Sequence, residues 1–309
     1  MAFERCYQGS VNRWECDEND HLNVRFYLHK AHQALTAFAL RHGVTATPGH
    51  HWLDGLRAHH IRYLREARMA TPITGECAIA DSDAPTPTLL TRLYHSETGV
   101  TLATFVSEFG TQALPPQNLD QLRAQATHPL TPEFGSRGVT ARTSPYASLT
   151  AAAAAQAGYR AIGAGIIGPE ECDERGRMSP WHYMGRTSDS MPNFWARLRG
   201  GGGGAEDSGA EDSAGEDDAY LGGAVLEYRM QFHEPLYCGQ GYEHLGAIGE
   251  IGNKTQQIAH LIYSVPSGAL AVSAEALGIS LDLKTRKSIP IRAEHRERMQ
   301  AFQRGPLPA

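Results

Sequence analysis

The 309-residue chain has no apolar run near the ~18 residues that cross a bilayer, so a helical membrane span is not expected. Its start, Met1-Ala2-Phe3-Glu4-Arg5, lacks the basic-then-apolar design of a secretory signal. Cysteine is scarce and odd in number, five in all. That argues against a disulfide framework and for reduced thiols in a cytoplasmic protein. A basic excess is also missing, because the net charge is −6. Even that charge is local. Seven acidic residues and no Lys or Arg lie between Gly200 and Asp218, so the remainder carries +1. A near-neutral body offers no nucleic-acid footprint. His50-His51 and His59-His60 suggest a metal at a glance. Neighbouring strand residues point to opposite faces, however, and no Cys or carboxylate spacing completes a ligand set. Neither metal nor cofactor is expected.

What is present centres on Trp14-Glu15-Cys16-Asp17-Glu18-Asn19-Asp20-His21-Leu22-Asn23-Val24-Arg25-Phe26-Tyr27-Leu28. Carboxylates, an amide and an imidazole crowd into one turn ahead of an apolar helical run. The plan recurs. Glu171-Cys172-Asp173-Glu174 repeats Glu15 to Glu18, Tyr183 matches Tyr27, and Met178 and Met184 match Leu22 and Leu28. Further on, Arg65-Glu66-Ala67 aligns with His233-Glu234-Pro235, and Gly99-Val100-Thr101-Leu102-Ala103 with Gly268-Ala269-Leu270-Ala271-Val272. Leu114-Pro115-Pro116 aligns with Ile289-Pro290-Ile291. Landmarks in one order mean an internal duplication, and the length suits two domains of about 150 residues.

Each copy reads as a strand, the acidic turn, a long helix, then four strands. That pattern is α+β. Helices are expected over Asn23–Arg41, with Gly43 ending it, and over Pro180–Leu198, where Ser179-Pro180 is a cap followed by proline at the first position. Strands are expected near 1–13, 58–67, 76–82, 88–95 and 100–109, and again at 161–167, 223–232, 242–251, 256–265 and 269–283. Short helices follow at 118–126, 151–156 and 293–302. The units are 1–126 and 147–309, joined by a Pro/Gly/Thr-rich linker, 127–146. The Gly/acidic insertion 200–218 can bury no apolar area and is expected to be disordered.

A long helix wrapped by an antiparallel sheet, with Asp-x-Asn-x-His-x-Asn before the helix, resembles the hotdog-fold thioesterases. The Asp17/Asn19/His21 spacing is similar to that of the 4-hydroxybenzoyl-CoA and acyl-ACP types. The resemblance implies two tandem hotdog domains and hydrolysis of an acyl-CoA or acyl-carrier-protein thioester. It implies Asp17 as nucleophile or general base, assisted by Asn19 and His21. The second copy departs from the pattern, with Arg175, Arg177 and Ser179 replacing Asn19, His21 and Asn23, so one working site is expected. Thioester hydrolysis also needs an oxyanion donor and an apolar slot. The helix start at Asn23, Val24 and Arg25 is the expected donor, and the apolar helix face the slot. Arg62, Arg65 and Arg68 are candidates for coenzyme A phosphates.

Blander readings stand beside these. Asp17 is also what a turn aspartate bonding its own backbone looks like, Asn23 what a cap looks like, and Glu15 and Glu18 what structural or solvated acids look like. Cys16, Asp173 and the helix carboxylate Asp189 are second-choice catalysts. A non-catalytic acyl-thioester-binding protein and a hotdog hydratase are the competing functions. A tandem chain stands alone as a hotdog pair or associates again as a homodimer.

Overall fold

A computed structural model of the chain describes residues 3–44, 52–81, 86–110, 120, 123–124, 127–139, 146–198, 221–282 and 284–305. The acidic insertion 200–218, Leu114-Pro115-Pro116 and most of the expected helix at 118–126 lie outside these residues. The first unit runs β1 (Glu4–Ser10), α1 (Val24–Arg41), β2 (Leu56–Tyr63), β3 (Pro72–Ala80), β4 (Thr88–His95) and β5 (Thr101–Phe109). After β6 (Thr127–His128) and α2 (Ala151–Gln156), the second unit repeats the series. It runs β7 (Arg160–Ile166), α3 (Pro180–Leu198), β8 (Leu221–Phe232), β9 (Gly241–Ile251), β10 (Thr255–Ser264) and β11 (Leu270–Asp282), and closes with β12 (Lys287–Ser288) and α4 (Ala293–Gln300).

Among the described residues the strands form one sheet, ordered β1-β3-β4-β5-β2-β8-β11-β10-β9-β7, with β6 on β3 and β12 on β11. The two hotdog units therefore share a continuous sheet, joined by the antiparallel pair β2–β8. Its central pair is His60 opposite Arg229. These positions are equivalent in the repeat, so a local pseudo-twofold axis passes between them.

The repeat persists in backbone bonding. Asn23 N–H to Glu15 O (2.9 Å) matches Ser179 N–H to Glu171 O (2.9 Å). Gly99 and Gly268 both turn with positive φ, 69° and 67°, where only glycine is unstrained. One landmark needs correction. Leu22 N–H bonds Ala67 O, and its counterpart Met178 N–H bonds Leu236 O, both at 2.8 Å. Glu66 is thus equivalent to Pro235, not Glu234. The shared glutamate letter misled by one residue, and a strand-end hydrogen bond is the better guide.

Both helices lie on one face of the sheet. Buried Leu28, Ala31, Ile61, Tyr183, Met184, Tyr228 and Met230 belong to a single apolar cluster spanning the two units. The helices also touch directly. Asn23 Nδ2 donates to Ser188 Oγ at 3.0 Å. The Arg25 guanidinium lies over Phe26 and Trp181, and a β-carbon at Gly185 would sit 3.3 Å from it.

The opposite face carries a strap. Over its described part, 127–139, the segment expected as a plain linker is packed chain. Phe134 is buried with Ala80, Leu90 and Val106. Arg62 donates to Pro132 O and Glu133 O, each at 2.8 Å. The buried Glu227 carboxylate accepts from Arg137 N (2.9 Å), Gly138 N (2.7 Å) and Val139 N (3.3 Å), and lies 2.6 Å from His60 Nε2. Burial opposes its charge, but the His60 hydrogen bond and the backbone donors outweigh that and hold its pKa at about 2. Glu227→Gln turns part of this acceptor into a donor facing backbone donors. We expect a stability loss of about 2 kcal/mol, read as a lower urea midpoint with an unchanged slope.

Candidate active site

The first acidic turn is built on a buried ion pair. Glu15 accepts from Asn12 N at 2.8 Å, and Lys30 of α1 reaches it at 2.7 and 2.9 Å. Glu15 is therefore a structural acid, whereas Glu18 is exposed. The second copy repeats the device with Glu171 and Arg186. Above this anchor Asp17 closes the turn. Its Oδ1 accepts from Asn19 N (2.9 Å) and His21 N (3.2 Å), and its N–H bonds His21 O (2.8 Å). Asp20 takes φ 58°, a left-handed conformation aspartate tolerates, where the second copy has Gly176. The bonds fix one carboxylate oxygen of Asp17 and leave Oδ2 outside them. Asp17 is thus the expected turn aspartate, with a second oxygen held in a defined direction.

His21 is buried, with Nε2 3.0 Å from Glu66 Oε2. Glu66 Oε1 in turn lies 3.6 Å from Arg286 Nη1. Arg286 sits between β11 and β12 of the second unit with φ 54°. The first motif is therefore met by an acid from its own unit and a cation from the other. Asn23 caps α1, its Oδ1 accepting from Arg25 N at 3.0 Å. This corrects the expected oxyanion donors. The Arg25 N–H is taken by the cap and its side chain lies against α3, so Val24 N–H is the first-turn donor that the cap does not use.

Of the expected phosphate ligands, Arg65 and Arg68 are exposed on the loop beside the motif. Arg62 is 3% exposed and spent on the strap's carbonyls, so it is removed from that set. The apolar slot along α1 is also closed. Leu28, Ala31, Ala34, Leu35 and Phe38 are fully buried against the sheet. Among the second-choice catalysts, Asp189 is exposed on α3 and acts through charge on Arg186 and Tyr242. Burial and the charges of Asp17, Asp20 and Glu15 push the Cys16 thiol up, the wrong direction for a nucleophile.

The second motif has the same backbone and different chemistry. Asp173 Oδ1 accepts from Arg175 N (2.9 Å) and Arg177 N (3.0 Å). Arg175 grips Asp54 of the first unit at 2.5 and 2.8 Å and Asp173 at 2.6 Å, while Arg177 meets Asp54 at 2.6 Å. Burial opposes the charge of Asp173, and these hydrogen bonds, Arg175's foremost, hold its carboxyl below the usual range. Beside this cluster lies a small cleft of about 20 Å³, lined by Leu53, Leu56, Arg177, Met178, Tyr183 and Phe232. The strand register makes Gly223 the counterpart of Asp54, so no equivalent acid is set against the first motif.

Residues 11–111, about a third of the chain, match the profile of the thioesterase-like superfamily. Solved structures share the fold across both units. A Lactobacillus plantarum protein described as an oleoyl thioesterase is 11% identical, with 91% of this chain and 97% of that chain covered and a TM-score of 0.63. The 12:0-ACP thioesterase of Umbellularia californica is 10% identical, with 90% and 94% covered and a TM-score of 0.60. An acyl-ACP thioesterase of Bacteroides thetaiotaomicron is 9% identical, with 89% and 97% covered and a TM-score of 0.57. At such identities the likeness is one of fold. A search of curated proteins by sequence finds no match. Among the described residues, no helix is long and apolar enough to cross a membrane.

Glu66, Arg286 and Asp54 escaped the sequence reading. Glu66 and Asp54 had a usable signal. In the corrected register each is an acid whose counterpart, Pro235 or Gly223, is uncharged.

Proposed function

We propose that the chain hydrolyses an acyl thioester at its first motif, with Asp17 as the reacting carboxylate. One observation carries the reading. The two motifs share a backbone turn, yet in one the side chains are consumed by arginine–aspartate pairing with Asp54, and in the other they are not. Asp17 either attacks the thioester carbonyl or takes a proton from water. Asn19 and His21 assist, with His21 oriented by Glu66. Val24 N–H, at the positive end of α1, stabilises the developing oxyanion. The hydrolysis releases a free acid and a thiol. The carrier is coenzyme A, whose phosphates meet exposed Arg65 and Arg68. A body of net charge +1 outside the acidic insertion has no general attraction for an acidic carrier protein.

The test is thiol release from a panel of short, long and aromatic acyl-CoAs, with the same acyl groups on a carrier protein. Turnover on at least one substrate is expected. Asp17→Asn is expected to lower kcat about 100-fold or more, the scale of an acid–base group. Turnover that survives in Asp17→Asn would remove Asp17 from its role. Tight binding without turnover on any substrate would select the non-catalytic binding reading instead.

A further inference from the structure

Cys6 and Cys77 take no part in the motif chemistry. Cys6 is the extra residue of a β-bulge, since the β1–β3 register breaks between Arg5 and Tyr7. A bulge re-aims its side chain, and here Cys6 packs against the buried cluster that contains Cys77. The repeat supplies an independent view of that closeness. The second unit has the same bulge, between Ala161 and Gly163, with Ile162 in the place of Cys6 and Gly246 in the place of Cys77. A β-carbon at Gly246 would lie 2.7 Å from Ile162 Cδ1, so side chains at these two positions point at one another.

We infer that Cys6 and Cys77 form a redox-active dithiol, in which a hydroperoxide oxidises Cys6 and Cys77 resolves it to an intramolecular disulfide. The surroundings divide the two roles. Arg41 Nη1 at the end of α1 lies 3.7 Å from Cys6 Sγ. Cys6 is half-buried, and Cys77 is wholly buried with Sγ 3.5 Å from Thr91 Oγ1. The Cys77 hydrogen bond draws the Cys6 thiol down against burial, with Arg41 assisting and Glu4 opposing. Glu4 is itself held by His42, Oε1 to Nε2 at 2.9 Å. Burial pushes Cys77 well up, so it stays protonated and donates. A partly exposed thiol drawn below its usual pKa beside a protonated partner is the arrangement of redox-sensing cysteines.

The chemistry balances without any group the chain lacks except the peroxide. The Cys6 thiolate attacks the peroxide, the O–O bond breaks, and Cys6 becomes a sulfenic acid as the peroxide leaves as alkoxide or hydroxide. The Cys77 sulfur then displaces water from the sulfenic acid, forming the S–S bond. The two sulfurs together lose two electrons to the peroxide. The product fastens β1, an outer strand of the sheet among the described residues, to β3.

The chain carries an internal control. Burial pushes the Cys172 thiol up to about 11, and Cys238, Glu171 and Asp173 add to that rise. The experiment treats the full chain with limiting hydrogen peroxide, blocks remaining thiols and maps the peptides by mass spectrometry. Cys6–Cys77 linkage is expected to exceed Cys172–Cys238 linkage roughly ten-fold, following thiolate character. Cys77→Ser is expected to strand Cys6 as a sulfenic acid, trapped by dimedone. Arg41→Gln, on an exposed side chain, is expected to slow Cys6 oxidation about three-fold or more and to move its pH dependence upward. Recovery of Cys6 and Cys77 as free thiols while exposed Cys238 is oxidised would overturn the inference. So would a Cys6 that yields no dimedone adduct in Cys77→Ser.

Discussion

Lowering the pH from 7.5 to 5 is expected to cost this protein about 4 kcal/mol of folding stability, before most carboxylates have titrated. The cause is imidazole buried in the neutral form. His59 lies under α1, wholly buried, with Nε2 2.7 Å from His32 Nε2 and Nδ1 3.0 Å from Ser107 Oγ. His244 faces His260 at 3.2 Å inside the second unit. Burial pushes His59 and His244 down to about 3, and His260 falls too. The sign follows from which state binds protons. An unfolded histidine protonates near pH 6.5, while folded His59 and His244 stay neutral until about pH 3. Stability is fully present above pH 6.5 and drains as the pH falls below it, at about 1.4 kcal/mol per unit for each group. Two groups over one and a half units give the figure above. Glu227 adds a second window, because its stabilisation is lost between about pH 4.5 and 2. Urea unfolding at pH 7.5, 6.5, 5.5 and 5 reads the slope. His59→Gln and His244→Gln are each expected to flatten it, whatever they do to stability at neutral pH. A wild-type stability level from pH 7.5 to 5 would show that these histidines take up protons without unfolding.

Lys30→Met is expected to destabilise the chain by about 3–5 kcal/mol, the cost of stripping the partner from a buried charge. Lys30 is 3% exposed and Glu15 5%, so neither recovers hydration when the other is lost. Glu15 also caps the Asn12 turn through its side chain and accepts Asn23 N–H on its carbonyl, so the loss falls directly beneath the motif. Removing both charges, as Glu15→Leu with Lys30→Met, is expected to recover part of the stability, since two apolar groups leave no bare ion. Recovery stays partial because Asn12 N–H loses its acceptor. A double-mutant cycle by urea denaturation measures the coupling. A Lys30→Met cost under about 1 kcal/mol would mean that Glu15 finds water or a proton, against the geometry described.

The motif, the duplication and the α+β plan were legible because each is written in local pattern. Asp17, Asn19 and His21 sit at turn spacing, Asn23 is a cap, and α3 runs over Pro180–Leu198 as its cap and proline predict. What escaped depends on partners distant in sequence. Lys30 and His32 look like polar interruptions of an apolar helix until β2 and the acidic turn are set beneath them. Arg62 reads as a surface cation until the strap supplies carbonyls. Asp54 and Arg286 belong to neither motif and acquire meaning only when the units join. Even the repeat, aligned by letters, slipped by one residue at Glu66, which backbone bonding puts right.

The pseudo-twofold axis between His60 and Arg229 has a genetic consequence. In a homodimer of single units every substitution appears twice, once on each side of the axis, and an axial residue must tolerate meeting itself. Joining two units in one reading frame lifts that constraint. Here the axial pair is a histidine and an arginine. The histidine holds Glu227, and the arginine pairs instead with Glu108 at 3.1 Å. Among the described residues one strap crosses the face where symmetry would demand two, and one motif is closed by Asp54 while the position equivalent to Asp54 in the other unit is a glycine. Each half has been free to change alone.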